Sequence, residues 1–171
     1  MSGNNYITTM GLERIRRELQ WLQSEERPKI VSEVSRAAAM GDRSENAEYI
    51  YGKKRLRQID GRMGYLVGRL NKLVVVEPST QASERVLFGA TVVLIDEEDE
   101  QKTWKIYGED EVAVEKGIIS WKSPLGRSLL GRSVGDAVQF QAPGGQRELE
   151  LIEIRYEAQD SHIEEVWRNE S

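Results

Sequence analysis

Two carboxylates, Asp42 and Glu45, sit three residues apart in the run Gly41-Asp42-Arg43-Ser44-Glu45-Asn46-Ala47-Glu48-Tyr49. That spacing is close to one helical turn, and two chemistries fit it. In the first, Asp42 is a helix N-cap and Glu45 the N3 partner of a capping-box variant, each satisfying an orphan backbone donor. In the second, the pair is an incomplete site for a hard cation. Mg²⁺ wants six oxygens in a near-octahedral shell, so two carboxylates would serve only by lending oxygens to an ion already held elsewhere. The two readings are compatible, because a cap can release its carboxylates when a partner arrives.

A second concentration of charge follows at Lys53-Lys54-Arg55-Leu56-Arg57. Four cations in five residues exceed what local pairing needs, and contact with nucleic-acid phosphates stands beside ordinary solvation. Arg55, Arg62 and Arg69 recur every seven residues, which places them on one flank where Glu18, Glu25 and Glu26 could pair with them. Tyr49 and Tyr51 could stack on a base or simply pack.

These groups need an element to carry them. Leu56, Ile59, Met63, Leu66, Leu70 and Leu73 follow one another at steps of 3, 4, 3, 4 and 3, and Leu12, Ile15, Leu19 and Leu22 at 3, 4 and 3. Both are a/d seams of a coiled coil. After Leu22 the pattern slips to Ile30 and Val34 with Pro28 between them, which predicts a bend or register change. The break between the seams is Met40-Gly41-Asp42, with Gly41 suited to a left-handed C′ position and Asp42 to an N-cap. Folding there sets Leu12 against Leu70, Leu22 against Ile59 and Val34 against Ile50. The expected element is an antiparallel hairpin with its tip near residues 40–46 and arms of roughly 45 Å, at 1.5 Å per residue over about 30 residues. Ala37-Ala38-Ala39 would keep that end slender.

Composition bounds the rest. The chain has 171 residues and no cysteine, which excludes a disulfide framework, a Cys-ligated zinc and a thiol nucleophile. Its one histidine, His162, makes a Ser–His–Asp triad improbable. The longest apolar run, Leu73-Val74-Val75-Val76, is far too short to cross a bilayer. No charged leader with an apolar segment opens the sequence, and a cytoplasmic, non-membrane protein is expected. Residues 1–78 carry 14 Lys and Arg against 10 Asp and Glu, whereas residues 79–171 carry 10 against 19. A basic half can meet phosphate while an acidic half stays off it. The change falls at Glu77-Pro78-Ser79-Thr80-Gln81-Ala82-Ser83, taken as a linker. Expected domains are therefore 1–78, 79–157 and a tail, 158–171.

Residues 86–95, 103–107, 117–121, 137–141 and 148–156 are rich in β-branched and aromatic residues and divided by turn signals, so the second half reads as a small, mainly β domain. Ser123-Pro124-Leu125 opens a short helix, with Pro124 at N1. The acidic run 96–100 reads as a solvated hairpin turn. No role is assigned to the tail.

The tip run, followed by Tyr51-Gly52-Lys53-Lys54-Arg55-Leu56-Arg57-Gln58-Ile59-Asp60, resembles the bacterial Gre transcript cleavage factors. Glu25-Glu26-Arg27-Pro28, Ser123-Pro124, Leu129-Leu130 and Val134-Gly135-Asp136 match in kind and order, and the likeness spans roughly residues 6–157. It implies an α+β protein: a coiled-coil hairpin followed by an FKBP-like domain. It implies docking of that domain on core RNA polymerase, with Ser123, Pro124 and Leu125 at the contact, and entry of the hairpin through the secondary channel. Asp42 and Glu45 would help hold a second Mg²⁺ at the polymerase's own active site, supported by Gly41, Ser44, Asn46 and Tyr49. Arg43, Lys53, Lys54, Arg55, Arg57 and Arg62 would contact the 3′ segment of backtracked RNA. The chain would then be a monomer that stimulates cleavage by the polymerase and is not itself an enzyme. An isomerase activity would want an aromatic-lined pocket, and Phe88 and Phe140 are more simply core. Two alternatives remain at this level: a channel-occupying regulator that does not promote cleavage, and a coiled-coil adaptor unrelated to polymerase.

Overall fold

The computed structural model describes residues 4–41 and 46–169. The chain divides into two compact units. One contains the residues up to Leu12 together with Leu73–Ile163; the other contains Glu13–Lys72 and the residues from Glu164 onward.

The hairpin unit is built from α1 (Thr9–Trp21), a π-helical turn (Leu22–Glu26), α2 (Arg27–Ala39) and α3 (Ala47–Arg69). The buried positions explain the turn. Along the first arm one buried row is Ile15, Leu22, Ile30 and Ala37, at steps of seven, eight and seven; along α3 it is Gly52, Ile59 and Leu66, at steps of seven. The step of eight spans the π turn, where the Arg27 N–H bonds the Leu22 carbonyl five residues back. Pro28 supplies no N–H, and its ring would crowd the Ser24 carbonyl in an unbroken α-helix. One inserted residue relieves that conflict and returns Ile30 to the buried face. This is the register change that the slipped seam predicts.

Cross-arm bonds confirm the antiparallel order: Glu18 with Arg62, Glu26 with Arg55, Arg27 with Asp60, and Ala37 with Asn46. The expected contact of Val34 with Ile50 is corrected. Ile50 is exposed, and Val34 lies over Gly52, where a Cβ would collide with its Cγ2 methyl. Glycine at 52 and alanine at 37 let the arms close together near their joined end.

The other unit holds two sheets. β1 (Asn5–Thr8) and β2 (Leu73–Val76) pair in parallel, from Asn5 opposite Leu73 to Thr8 opposite Val76. Leu73 is therefore a strand residue, not the end of the hairpin seam. The β-branched run Val74-Val75-Val76 prefers a pleated surface, and Lys72, at φ +54°, turns the chain out of the helix. For the same reason the domain edge expected at Pro78 moves: β1 and β2 belong with the sheet unit.

The second sheet contains β3 (Thr91–Ile95), β4 (Gln101–Tyr107), β5 (Ile118–Ser120), β6 (Ala137–Ala142) and β7 (Gly145–Arg155), in the order β5-β4-β3-β7-β6. Only β4 and β5 run parallel; their connection passes through two 3₁₀ turns, Glu109–Glu111 and Val114–Lys116. A short helix, α4 (Pro124–Leu129), contributes Leu129 to a core with Val92, Leu94, Ile106, Ile119, Val138 and Leu151. Residues 86–90, expected in the first strand, instead form a loop that buries all but Leu87 and in which Gly89 takes φ +92°. The acidic run makes the β3–β4 turn as expected, with Asp96 Oδ1 accepting from the amides of Glu98 and Glu100.

One buried acid ties this unit together. Glu111 accepts hydrogen bonds from the Thr8 amide (3.1 Å), the Gly108 amide (2.8 Å) and the Thr8 hydroxyl. The Thr8 oxygen in turn accepts from the Gly11 amide at the start of α1. A Cβ on Gly11 would overlap the Glu111 carboxylate, so glycine is required there. Burial, then the Glu111 charge, pushes the phenol of neighbouring Tyr107 up to about 12. No helix among the described residues is long and apolar enough to cross a membrane.

Candidate functional site

The end of the hairpin is set by α2 closing and α3 opening. The Met40 amide bonds the Ala37 carbonyl (3.2 Å), and Gly41 follows at φ +150°, a backbone region that side chains avoid. Asp42, Arg43, Ser44 and Glu45 lie outside the described residues. The chain is next defined at Asn46, which is the N-cap of α3: its Oδ1 accepts from the Tyr49 amide (3.2 Å). Its Nδ2 donates to the Ala37 carbonyl (2.7 Å), tying the start of α3 to the last turn of α2. Asn46 thus takes the capping position expected of Asp42. Helix α3 begins after Glu45, so Glu45 is not its N3 residue, and the capping-box reading is corrected. Replacing Asn46 by Ala is expected to lower stability by about 1–2 kcal/mol, measurable as a shift in thermal unfolding.

The basic flank divides in two. Lys53, Lys54 and Arg57 are exposed and form no ion pair among the described residues. Lys53 and Arg57 stand at i, i+4, where like charges repel on a helix surface. Arg55 and Arg62 are differently placed. Arg55 pairs with Glu26 (3.4 Å), whose side chain is 4% exposed, and Arg62 makes a two-pronged contact with Glu18 (2.9 Å and 2.9 Å) while lying over the Tyr65 ring at 5.3 Å. Buried acids need such partners, so these two arginines hold the arms in register. Arg27 and Asp60 pair at 2.9 Å on the surface, where the hydrogen bond holds the Asp60 carboxyl below its ordinary range. Tyr49 is half-buried, and Tyr51 is exposed.

In the sheet unit Ser123 caps α4. Its hydroxyl accepts from the Gly126 amide (3.0 Å) and donates to the Ser120 carbonyl (2.6 Å). Pro124 is exposed at the first turn, while Leu125 packs against the core. Beside them Tyr6 meets the Trp121 ring edge-on at 5.2 Å, and Lys122 lies 5.2 Å from that ring's centre.

Two successive family signatures account for most of the chain. "Transcription elongation factor, N-terminal" matches residues 5–75, and "Transcription elongation factor, GreA/GreB, C-term" matches residues 81–156. The chain belongs to the GreA/GreB family of transcription elongation factors. Among family members, transcription elongation factor GreB of Yersinia pestis is 48% identical over 156 residues, 91% of each chain. GreB of Haemophilus influenzae is 47% identical over 157 residues, 92% of this chain and 99% of its own. GreA of Alkalilimnicola ehrlichii is 41% identical over 152 residues, 88% and 96% of the two chains. A crystal structure of GreA factor homolog 1 from Thermus thermophilus aligns with 89% of this chain and 99% of its own, at 24% identity and TM-score 0.41.

Three residues carry weight in the structure beyond the roles read from the sequence: Asn46, expected only as tip support, as a cap; Glu111 as a buried hub; and Trp167. Asparagine's preference for N-caps was the available signal for the first. Trp167 lies beyond residue 156, where the family signatures end.

Proposed function

We propose that this family member is a GreB-type transcript cleavage factor. It binds RNA polymerase, passes the joined end of its hairpin through the secondary channel, and promotes hydrolysis of backtracked nascent RNA by the polymerase. The observation that carries this reading is the cap. Asn46 caps α3 and accepts from the Tyr49 amide, so starting that helix requires no carboxylate from the tip run, and in this reading Asp42 and Glu45 serve a partner instead. Among the described residues no group of three or more His, Asp or Glu is placed to hold a metal ion. Mg²⁺ takes six oxygens in a near-octahedral shell, so a pair of acids fits a lending role better than a self-contained site. Asp42 and Glu45 would share a Mg²⁺ with the polymerase active site, where such an ion orients the attacking water and stabilises charge on the phosphate.

The remaining residues position. Lys53, Lys54 and Arg57, exposed and without an ion pair among the described residues, would hold phosphates of the extruded RNA 3′ segment; Arg43 lies in the same tip run. The sheet unit, FKBP-like in this reading, would dock on polymerase through the surface around Ser123, Pro124 and Leu125. The protein would act in the cytoplasm as a monomer, without catalysing the reaction itself.

The test uses arrested elongation complexes carrying a radiolabelled transcript, with Mg²⁺ and no nucleotides. The wild-type chain should release short 3′ fragments. A chain that binds polymerase yet releases none would be a channel-occupying regulator, and one that does not bind would be neither. Changing Lys53, Lys54 and Arg57 together to Gln should weaken cleavage of long backtracked segments by about 10-fold or more, with a smaller effect on short ones. Equal effects on both would remove the RNA-contact role.

A further inference from the structure

The segment from Glu164 onward belongs to the hairpin unit. Its last turn, Val166–Asn169, buries Trp167 to 7% exposure, where the indole forms one wall of a cleft whose other walls include Trp21, Leu22, Ile59 and Arg62. Glu165 reinforces the contact: it pairs with Arg17 of α1 (3.6 Å) and with Arg168 (2.9 Å).

The segment lands beside the one irregular turn of the described hairpin helices. Leu22 opens the π turn, whose hydrogen-bond pattern is irregular and which runs into Pro28. On α3, Gly61 lies two residues from Ile59, with Gly64 and Gly68 further along the arm, and a Cβ at any of them would meet nothing within 4 Å. Packing demands none of these glycines, and each weakens a helix interior by about 1 kcal/mol relative to alanine. Trp167 thus presses on both arms beside their intrinsically soft stretches. Its indole N–H has no hydrogen-bond partner among the described residues, so the contact works through packing of the ring.

We propose that the C-terminal segment Glu164–Asn169 is an intramolecular clasp: the cleft between the two arms is its docking surface, and its occupancy stiffens the hairpin across the π turn. The family signatures end at residue 156, before the segment begins. Its consequence for activity rests on the cleavage-factor reading; its consequence for the hairpin does not.

The test compares three full-length proteins, wild type, Trp167→Ala and Trp167→Phe, by hydrogen exchange of backbone amides. In Trp167→Ala, amides of residues 22–30 and 57–68 should exchange about 10-fold faster or more, while those of β3, β4 and β7 keep their wild-type rates. Trp167→Phe should restore protection, because the ring packs without using its N–H. In the cleavage assay Trp167→Ala should lose several-fold in rate at unchanged affinity for polymerase. Unchanged exchange in the two hairpin stretches would overturn the clasp, as would a uniform increase across both units or a Phe variant as soft as the Ala variant. Local softening with full cleavage would keep the clasp and count against the activity reading alone.

Discussion

Changing Asp42 to Asn and Glu45 to Gln together is expected to reduce stimulated transcript cleavage by about 100-fold or more, with affinity for polymerase unchanged within about two-fold. The substitutions keep size and hydrogen-bonding capacity and remove only the charge that a cation needs. They also separate the two chemistries open to the acids. As a helix cap Asn serves as well as Asp, so a purely structural role predicts a double variant with wild-type activity and stability. The metal-lending role predicts a stable protein that still binds polymerase and no longer promotes cleavage. Quantified fragment release at saturating protein, together with a binding titration, distinguishes them.

The second large effect concerns stability. Replacing Glu111 by Ala should destabilise the sheet unit by about 3 kcal/mol or more, because the Thr8 amide, the Thr8 hydroxyl and the Gly108 amide would all lose their buried acceptor. The same change removes the charge that, after burial, holds the Tyr107 phenol up to about 12. Its ionisation should move down toward the ordinary tyrosine value, while burial keeps it from returning fully. Denaturant unfolding measures the first effect, and ultraviolet absorbance during alkaline titration measures the second. A Glu111→Ala variant with wild-type stability would show that water replaces the carboxylate.

The long elements were legible because period and burial agree in them. Ile59 and Leu66 repeat at seven and are buried, and Pro28 with the slipped seam marked the register change later seen as a π turn. The short parallel pair β1 and β2 was hidden. Each strand has four residues, their partners lie 68 positions apart, and Leu73 continues the 3–4 spacing of α3 closely enough to pass for a seam residue. Residues 86–90 looked like strand by composition, but Gly89 at φ +92° bends the chain there.

At the tip one role was misread. Asp42 and Asn46 are both good N-caps, and local pattern does not choose between them. The choice comes from the bond of Asn46 Nδ2 to the Ala37 carbonyl on the other arm. Likewise, four adjacent cations said nothing of which were paired. Glu26, one turn from Leu22, claims Arg55 from across the hairpin and leaves Lys53, Lys54 and Arg57 to solvent. Glu111 read as a loop residue because its partner, Thr8, is 103 positions away.

The most direct measurement is the Mg²⁺ dependence of cleavage in arrested complexes, with polymerase alone, with the wild-type chain and with the Asp42→Asn/Glu45→Gln variant. If the two acids lend their oxygens to the ion, the wild-type chain will lower the Mg²⁺ concentration for half-maximal cleavage by about 10-fold or more, and the variant will follow the curve of polymerase alone. A variant that shifts the curve as far as the wild type does would contradict the account.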